Sequence, residues 1–204
     1  VQYNHYNVER MTMKNILLTL LLTFSFSAYA ESYFAELRLG VRDSYHKVVN
    51  HATSGKLEGD FKGSNAGLRA GKNFGSHAIY LEYNPTQQVE IKSANELANV
   101  QSTWLGYRYH FESSAFYVGG QIGQSSFELE QGPNGVKFTD NPTTKGVTYG
   151  VNAGYIKDFD RIYLGGDIVY NFGKYQDDGP SSTAVTDIEI QNQSQLNLFV
   201  GTRF

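Results

Sequence analysis

From Ala35 to its last residue the chain returns again and again to one pattern, in which apolar and polar residues alternate and the apolar set keeps its parity through the whole segment. Ala35, Leu37, Leu39 and Val41 alternate with Glu36, Arg38, Gly40 and Arg42. A period of two sends successive side chains to opposite faces of a strand, so such a segment is a strand with one apolar face. Seven more follow, with apolar faces beginning at Ala66, Ile79, Leu105, Phe116, Val147, Ile162 and Leu196. No stretch after Ala30 carries a comparable helical stripe, and the pattern predicts an all-β chain of eight strands.

The connections alternate in length. Residues 73–77, 112–115 and 157–161 are tight, whereas 43–62, 85–99, 127–145 and 173–187 are long, polar and rich in turn formers such as Gly132-Pro133-Asn134-Gly135 and Asp177-Asp178-Gly179-Pro180. In an up-and-down meander every second connection lies on the same rim, so one rim carries short turns and the other long loops.

Alternation alone does not say which face is outside, because a soluble barrel alternates as well and buries its apolar face. The polar face decides. It is poor in Lys and Glu and rich in glycine (Gly40, Gly67, Gly71, Gly106, Gly119, Gly123, Gly150, Gly154, Gly165). A water-facing exterior carries more long charged side chains, while small residues with a few large polar ones suit the narrow lumen of an eight-strand barrel. The apolar face has aliphatic residues at mid-strand and rings near strand ends (Tyr33, Phe74, Tyr83, Tyr109, Phe111, Phe116, Tyr155, Tyr170, Phe172), as two interfacial girdles would. Hydrocarbon leaves no partner for free backbone groups, so a sheet crossing it must close. The expected fold is an eight-stranded antiparallel up-and-down transmembrane β-barrel over residues 31–204, with both ends on the short-turn rim.

Residues 1–30 are set apart. After Met11 and Met13 come Lys14, the apolar run from Ile16 to Phe24, and Ala28-Tyr29-Ala30, the order of a cleaved secretory signal peptide. Val1 to Arg10 precede it as upstream sequence. Export of a chain with this pattern places it in the outer membrane of a Gram-negative cell. The chain has no cysteine, so it relies on a core or on sheet closure. With 17 Lys and Arg against 20 Asp and Glu it has no basic field for nucleic acid.

The signal segment, repeated stretches such as Phe116-Tyr117-Val118-Gly119-Gly120, and the end from Leu196 to Phe204 resemble the small outer-membrane barrels of the OmpA/OmpX and opacity-protein type, the outer-membrane β-barrel domain family. The resemblance covers nearly all of the chain after the leader. It implies that Leu196, Leu198, Val200 and Phe204 form the C-terminal signal read by the barrel assembly machinery, with Thr202 departing from the usual larger residue.

Eight charged residues fall on the inner face: Glu36, Arg38, Arg42, Arg69, Glu82, Arg108, Asp167 and Arg203. Buried charges must pair, so Arg38, Arg69 and Arg108 are expected to share Glu36, Glu82 and Asp167 in one network that plugs the lumen, with Arg203 among its members. The alternative for the same residues is a narrow, porin-like channel for ions or small solutes. His46 and His51, near Asp43 and Asp60, are expected in a solvated loop rather than in a metal site, since no third ligand has a fixed spacing. His110 is expected to be a hydrogen-bonded lumen residue, with no Ser or carboxylate beside it in triad order. Asp177, Asp178, Asp187 and Glu189 give the fourth long connection an acidic tip without a calcium-loop pattern. No catalytic, metal or cofactor site is expected. The reading is a monomeric, non-enzymatic barrel in contact with outer-membrane lipid and lipopolysaccharide, with any surface ligand bound by four outer loops. An outer-leaflet lipid-modifying enzyme and a soluble periplasmic carrier are the remaining alternatives.

Overall fold

The computed structural model describes residues 32–50, 55–91, 96–112, 114–131, 143–177 and 186–204. The leader, His51, the turn at 132–135 and Asp178 lie outside these residues. Eight strands follow in chain order: β1 (Tyr33–Asn50), β2 (Gly55–Phe74), β3 (His77–Ile91), β4 (Glu96–His110), β5 (Phe116–Gln131), β6 (Thr143–Phe159), β7 (Ile162–Asp177) and β8 (Thr186–Arg203). Each pairs antiparallel with its sequence neighbours, and β8 pairs with β1 to close the barrel. The last residue completes the seam. Tyr33 N donates to Phe204 O at 2.9 Å, Phe204 N donates to Tyr33 O at 3.0 Å, and the two rings stack at 6.3 Å.

The orientation is that of a membrane barrel. Leu37, Leu81, Leu164 and Leu198 point outward and are 49%, 36%, 49% and 70% exposed, while Arg38 and Glu82 point inward at 0% and 3%. This is the reverse of a soluble carrier, and it turns the apolar face to lipid. The lower girdle, beside the short turns, is dense: Tyr33, Phe74, Tyr109, Phe111, Phe116 and Tyr155 all face out there. The upper one is partial. It holds Tyr83 on β3 and a cluster on β6 and β7 in which Tyr149 stacks on Phe172 at 5.9 Å, with Tyr170 beside them.

Two of the short turns have two residues, Gly75-Ser76 and Asp160-Arg161, whose first members adopt φ of 63° and 61°. A positive φ at the first central residue matches the twist of a hairpin, and Gly and Asp are among the residues that tolerate it. The third turn, 111–115, is held by Ser114, whose Oγ accepts from Phe116 N at 2.9 Å.

The opposite rim differs from the sequence reading. Long loops were expected at 43–62, 85–99, 127–145 and 173–187, yet strand pairing continues from Asp43 to Asn50 and from Gly55 to Lys62, and likewise on the other hairpins. Above the membrane both faces of a strand meet water, so the alternation that marks a strand vanishes although the backbone ladder continues. An 18-residue strand such as β1 tilted by about 40° rises about 45 Å, against an apolar band of about 25 Å. The excess lies on the long-connection side, where outward residues turn polar at Asp43, Lys62, Gln101, Gln124, Lys145, Lys174 and Ser194. Asp43 and Lys62 form an exposed ion pair of 3.0 Å across β1 and β2.

Candidate functional site: the filled lumen

The lumen is built in layers from the inward positions. Lowest is an apolar floor of Phe34, Ala78, Tyr80, Tyr117, Ile156, Tyr163 and Phe199, all buried. Sequence reading expected small and polar residues here and missed the floor. Its logic lies in the register: Phe34 faces Gly71, Tyr80 faces Gly106, Trp104 faces Gly123, Tyr117 faces Gly154, Tyr163 faces Gly201 and Phe199 faces Gly165, each pair directly across two strands. A Cβ on any of these glycines would strike the ring opposite. Glycine there lets a large ring lie flat along the wall of a barrel too narrow to hold it upright.

On this floor rest three guanidinium groups. Arg69 lies 4.0 Å from the Tyr80 ring centre, Arg108 lies 4.9 Å from Phe34 and 4.8 Å from Tyr117, and Arg38 lies 5.2 Å from Phe199. Ring faces attract cations more strongly once water is excluded. Arg108 Nε has no hydrogen-bond partner and sits among three such rings.

The three arginines share three carboxylates, and all six side chains are at most 3% exposed. Glu36 is the hub: its Oε1 accepts from Arg108 Nη2 at 2.7 Å and Tyr163 OH at 3.1 Å, its Oε2 from Arg38 Nη1 at 3.3 Å and Arg69 Nη1 at 3.4 Å. Asp167 accepts from Arg38 Nη2 at 2.6 and 2.7 Å, from Tyr117 OH at 2.8 Å and from Asn197 at 2.9 Å. Glu82 accepts from Arg69 Nη2 at 2.5 Å and Nε at 2.8 Å, and from Asn84 at 3.1 Å. Every carboxylate oxygen therefore has a donor, and formal charge cancels within the cluster, which is the condition for holding ions away from water.

Arg203 stands apart from this cluster, contrary to its expected membership. It lies at the lower mouth, stacked on Tyr163 at 4.8 Å, where it pairs with Asp158. One residue from the chain end, it faces the rim rather than the mid-barrel layer. His110 also departs from expectation. It lies half-buried at the same rim with its ring 5.6 Å from that of Tyr117, and makes no side-chain hydrogen bond among the described residues. His46 belongs to β1 beside the irregularity at Tyr45/His46, and Asp177, Asp187 and Glu189 lie in β7 and β8 rather than in a loop tip; nothing is described of these side chains.

Above the ion cluster the lumen is mostly amide, with one further guanidinium group, that of Arg42. Arg42 donates to Asn65 at 3.3 Å, and Asn65 donates to Gln195 and Asn197 at 3.0 and 2.8 Å. The chain of amides continues through Gln193, Asn171 and Gln121 to Tyr80 and Asn152, in steps of 3.0 to 3.4 Å. Asn197, Asn152 and Asn171 face Gly40, Gly119 and Gly150 across the strands, so glycine again makes room for a neighbour's polar group. Asn152 Oδ1, 2.5 Å from where a Cβ on Gly119 would stand, has no hydrogen-bond partner among the described residues.

A closed eight-strand barrel with a greasy exterior and a filled polar interior defines a small outer-membrane barrel. The model of the outer membrane protein β-barrel domain matches residues 16–204, and the chain belongs to that family. Among solved structures it is similar to neisserial surface protein A, with TM-score 0.50 and 14% identity over 86% of this chain and 100% of that one. It is also similar to OprG from Pseudomonas aeruginosa, with TM-score 0.54 and 14% identity over 86% and 96% of the two chains. At these identities the likeness speaks to the fold. A search of curated proteins finds no match.

Proposed function

We propose that the protein is a non-enzymatic structural and surface-interaction component of the outer membrane, monomeric in the bilayer, with a lumen that is a static plug. One observation carries the plug reading: all six carboxylate oxygens accept hydrogen bonds inside the cylinder, and three arginines neutralise their charge there. Ions crossing it would have to displace a guanidinium group from its carboxylates. Planar-bilayer recordings of the wild type should show no stable conductance, and Glu82→Ala, which strips Arg69 of two hydrogen bonds, should open transient currents. Steady wild-type currents would replace this reading with the porin-like channel.

Recognition is assigned to the outer rim, whose hairpins rise above the bilayer on a rigid wall, and the surroundings there are lipopolysaccharide. The non-enzymatic reading is supported by the general character of small outer-membrane barrels; lipid A mass spectra unchanged on overexpression are its test, and a new lipid A species would install a lipid-modifying enzyme instead. Export is assigned to a leader cleaved after Ala30, so the folded protein should begin at Glu31 by N-terminal sequencing. Assembly is assigned to Leu196, Leu198 and Val200, which face out on β8, and to Phe204, exposed just past its end. Deleting Phe204 should slow membrane insertion in pulse-labelled cells.

A further inference from the structure

The lipid-facing wall is not uniform. Most outward positions carry branched or aromatic side chains, but Gly166 on β7 and Ala153 on β6 leave a recess of about 460 Å³, walled by Phe116, Tyr155, Ile168 and Leu196. Phe116 and Tyr155 belong to the lower girdle and pair directly across β5 and β6, so the recess opens in the periplasmic leaflet. Whatever occupies it lies in hydrocarbon and is apolar at that depth.

Directly below Tyr155 on the same outward row stands Lys157, exposed, with Nζ 5.5 Å from the Phe159 ring. Lys157 makes no ion pair among the described residues, and the acid next to it, Asp158, turns to the lumen mouth to hold Arg203. A second recess, of about 320 Å³ around Gly120, has Lys72 beside it, paired across β2 and β3 with Ile79 of its lining, but that ammonium group is held between the Tyr33 and Phe74 rings. An apolar slot with an ammonium group at its headgroup end matches one molecular shape, an acyl chain attached to a phosphate.

We infer that the Ala153–Gly166 recess together with Lys157 is a binding site for one anionic phospholipid of the periplasmic leaflet. A zwitterionic headgroup carries its own ammonium, which competes for the phosphate and leaves Lys157 less to gain. The side chains of Ala153 and Lys157 point away from the lumen, while Tyr117 and Asp167 of the plug line the recess from its inner side.

The test uses folded full-length protein reconstituted into vesicles of phosphatidylethanolamine and phosphatidylglycerol, extracted into mild detergent and weighed by native mass spectrometry. One phosphatidylglycerol per barrel should remain. Lys157→Gln should lower its retention about fivefold, the scale of one cation at a membrane surface, and Lys157→Arg should restore it. Ala153→Leu fills the recess and should abolish retention of both lipids. Lys72→Gln, which removes a cation held over Tyr33 and Phe74 on the far wall, should change nothing. Heat-dependent migration on gels verifies folding of each variant. Equal retention of the two lipids by the wild type, retention unaffected by Lys157→Gln, or a mass of two chains lost with Ala153→Leu would overturn the assignment.

Discussion

The lower and upper halves of the lumen fill the same cylinder with different chemistry. Below, three arginines and three carboxylates sit on a floor of rings; above, amides and hydroxyls pass hydrogen bonds from strand to strand. Both leave a few buried atoms without a hydrogen bond, Arg38 Nε and Arg108 Nε below and Asn84 Oδ1 and Asn152 Oδ1 above, yet they fail differently. An amide network that loses one member leaves neutral dipoles short of a partner, whereas the ionic cluster is left with an uncompensated charge in a medium that solvates it poorly.

Glu36→Ala gives the largest expected effect, since it leaves three arginines with two carboxylates. A loss of about 3–5 kcal/mol should appear as an earlier midpoint in urea titrations followed by gel migration, and a loss no greater than that of an amide variant would erase the distinction between the halves. Gly106→Val comes next. Its side chain would meet the Tyr80 ring, on which Arg69 stacks, at a cost of about 1–3 kcal/mol. Combining it with Tyr80→Ala should recover part of that loss, showing that ring and glycine act as one unit. Asn171→Ala, in the amide-rich half, frees one donor on Gln121 and one acceptor on Gln193 and should cost about 1–2 kcal/mol. Smallest is Asp160→Gly, at a turn away from both halves, where relief of the left-handed backbone should add at most about 1 kcal/mol.

The same contrast explains what could be read from residues alone. Glu36, Arg38, Arg69, Glu82, Arg108 and Asp167 stood out because a charge at a position whose neighbours face lipid has nowhere to go but inward. The aromatic floor did not stand out, because Tyr80 and Gly106, or Phe199 and Gly165, are ordinary strand residues until the register sets one over the other. Periodicity gives faces but not partners. It also stops at the membrane surface: Asp43 to Asn50 extends β1 without alternating, so a tall hairpin reads as a loop. Arg203 was misplaced for a related reason, since parity puts it inside but says nothing of depth.

The joining of Tyr33 to Phe204 has a consequence for biogenesis. Strand β1 must wait for β8 before its outer edge finds a partner, and until then the growing sheet offers an unprotected margin to any other extended chain. Contacts this distant in sequence form slowly. The ring therefore shuts only after β8 has been made, and a chain lacking even one strand would remain an open ribbon.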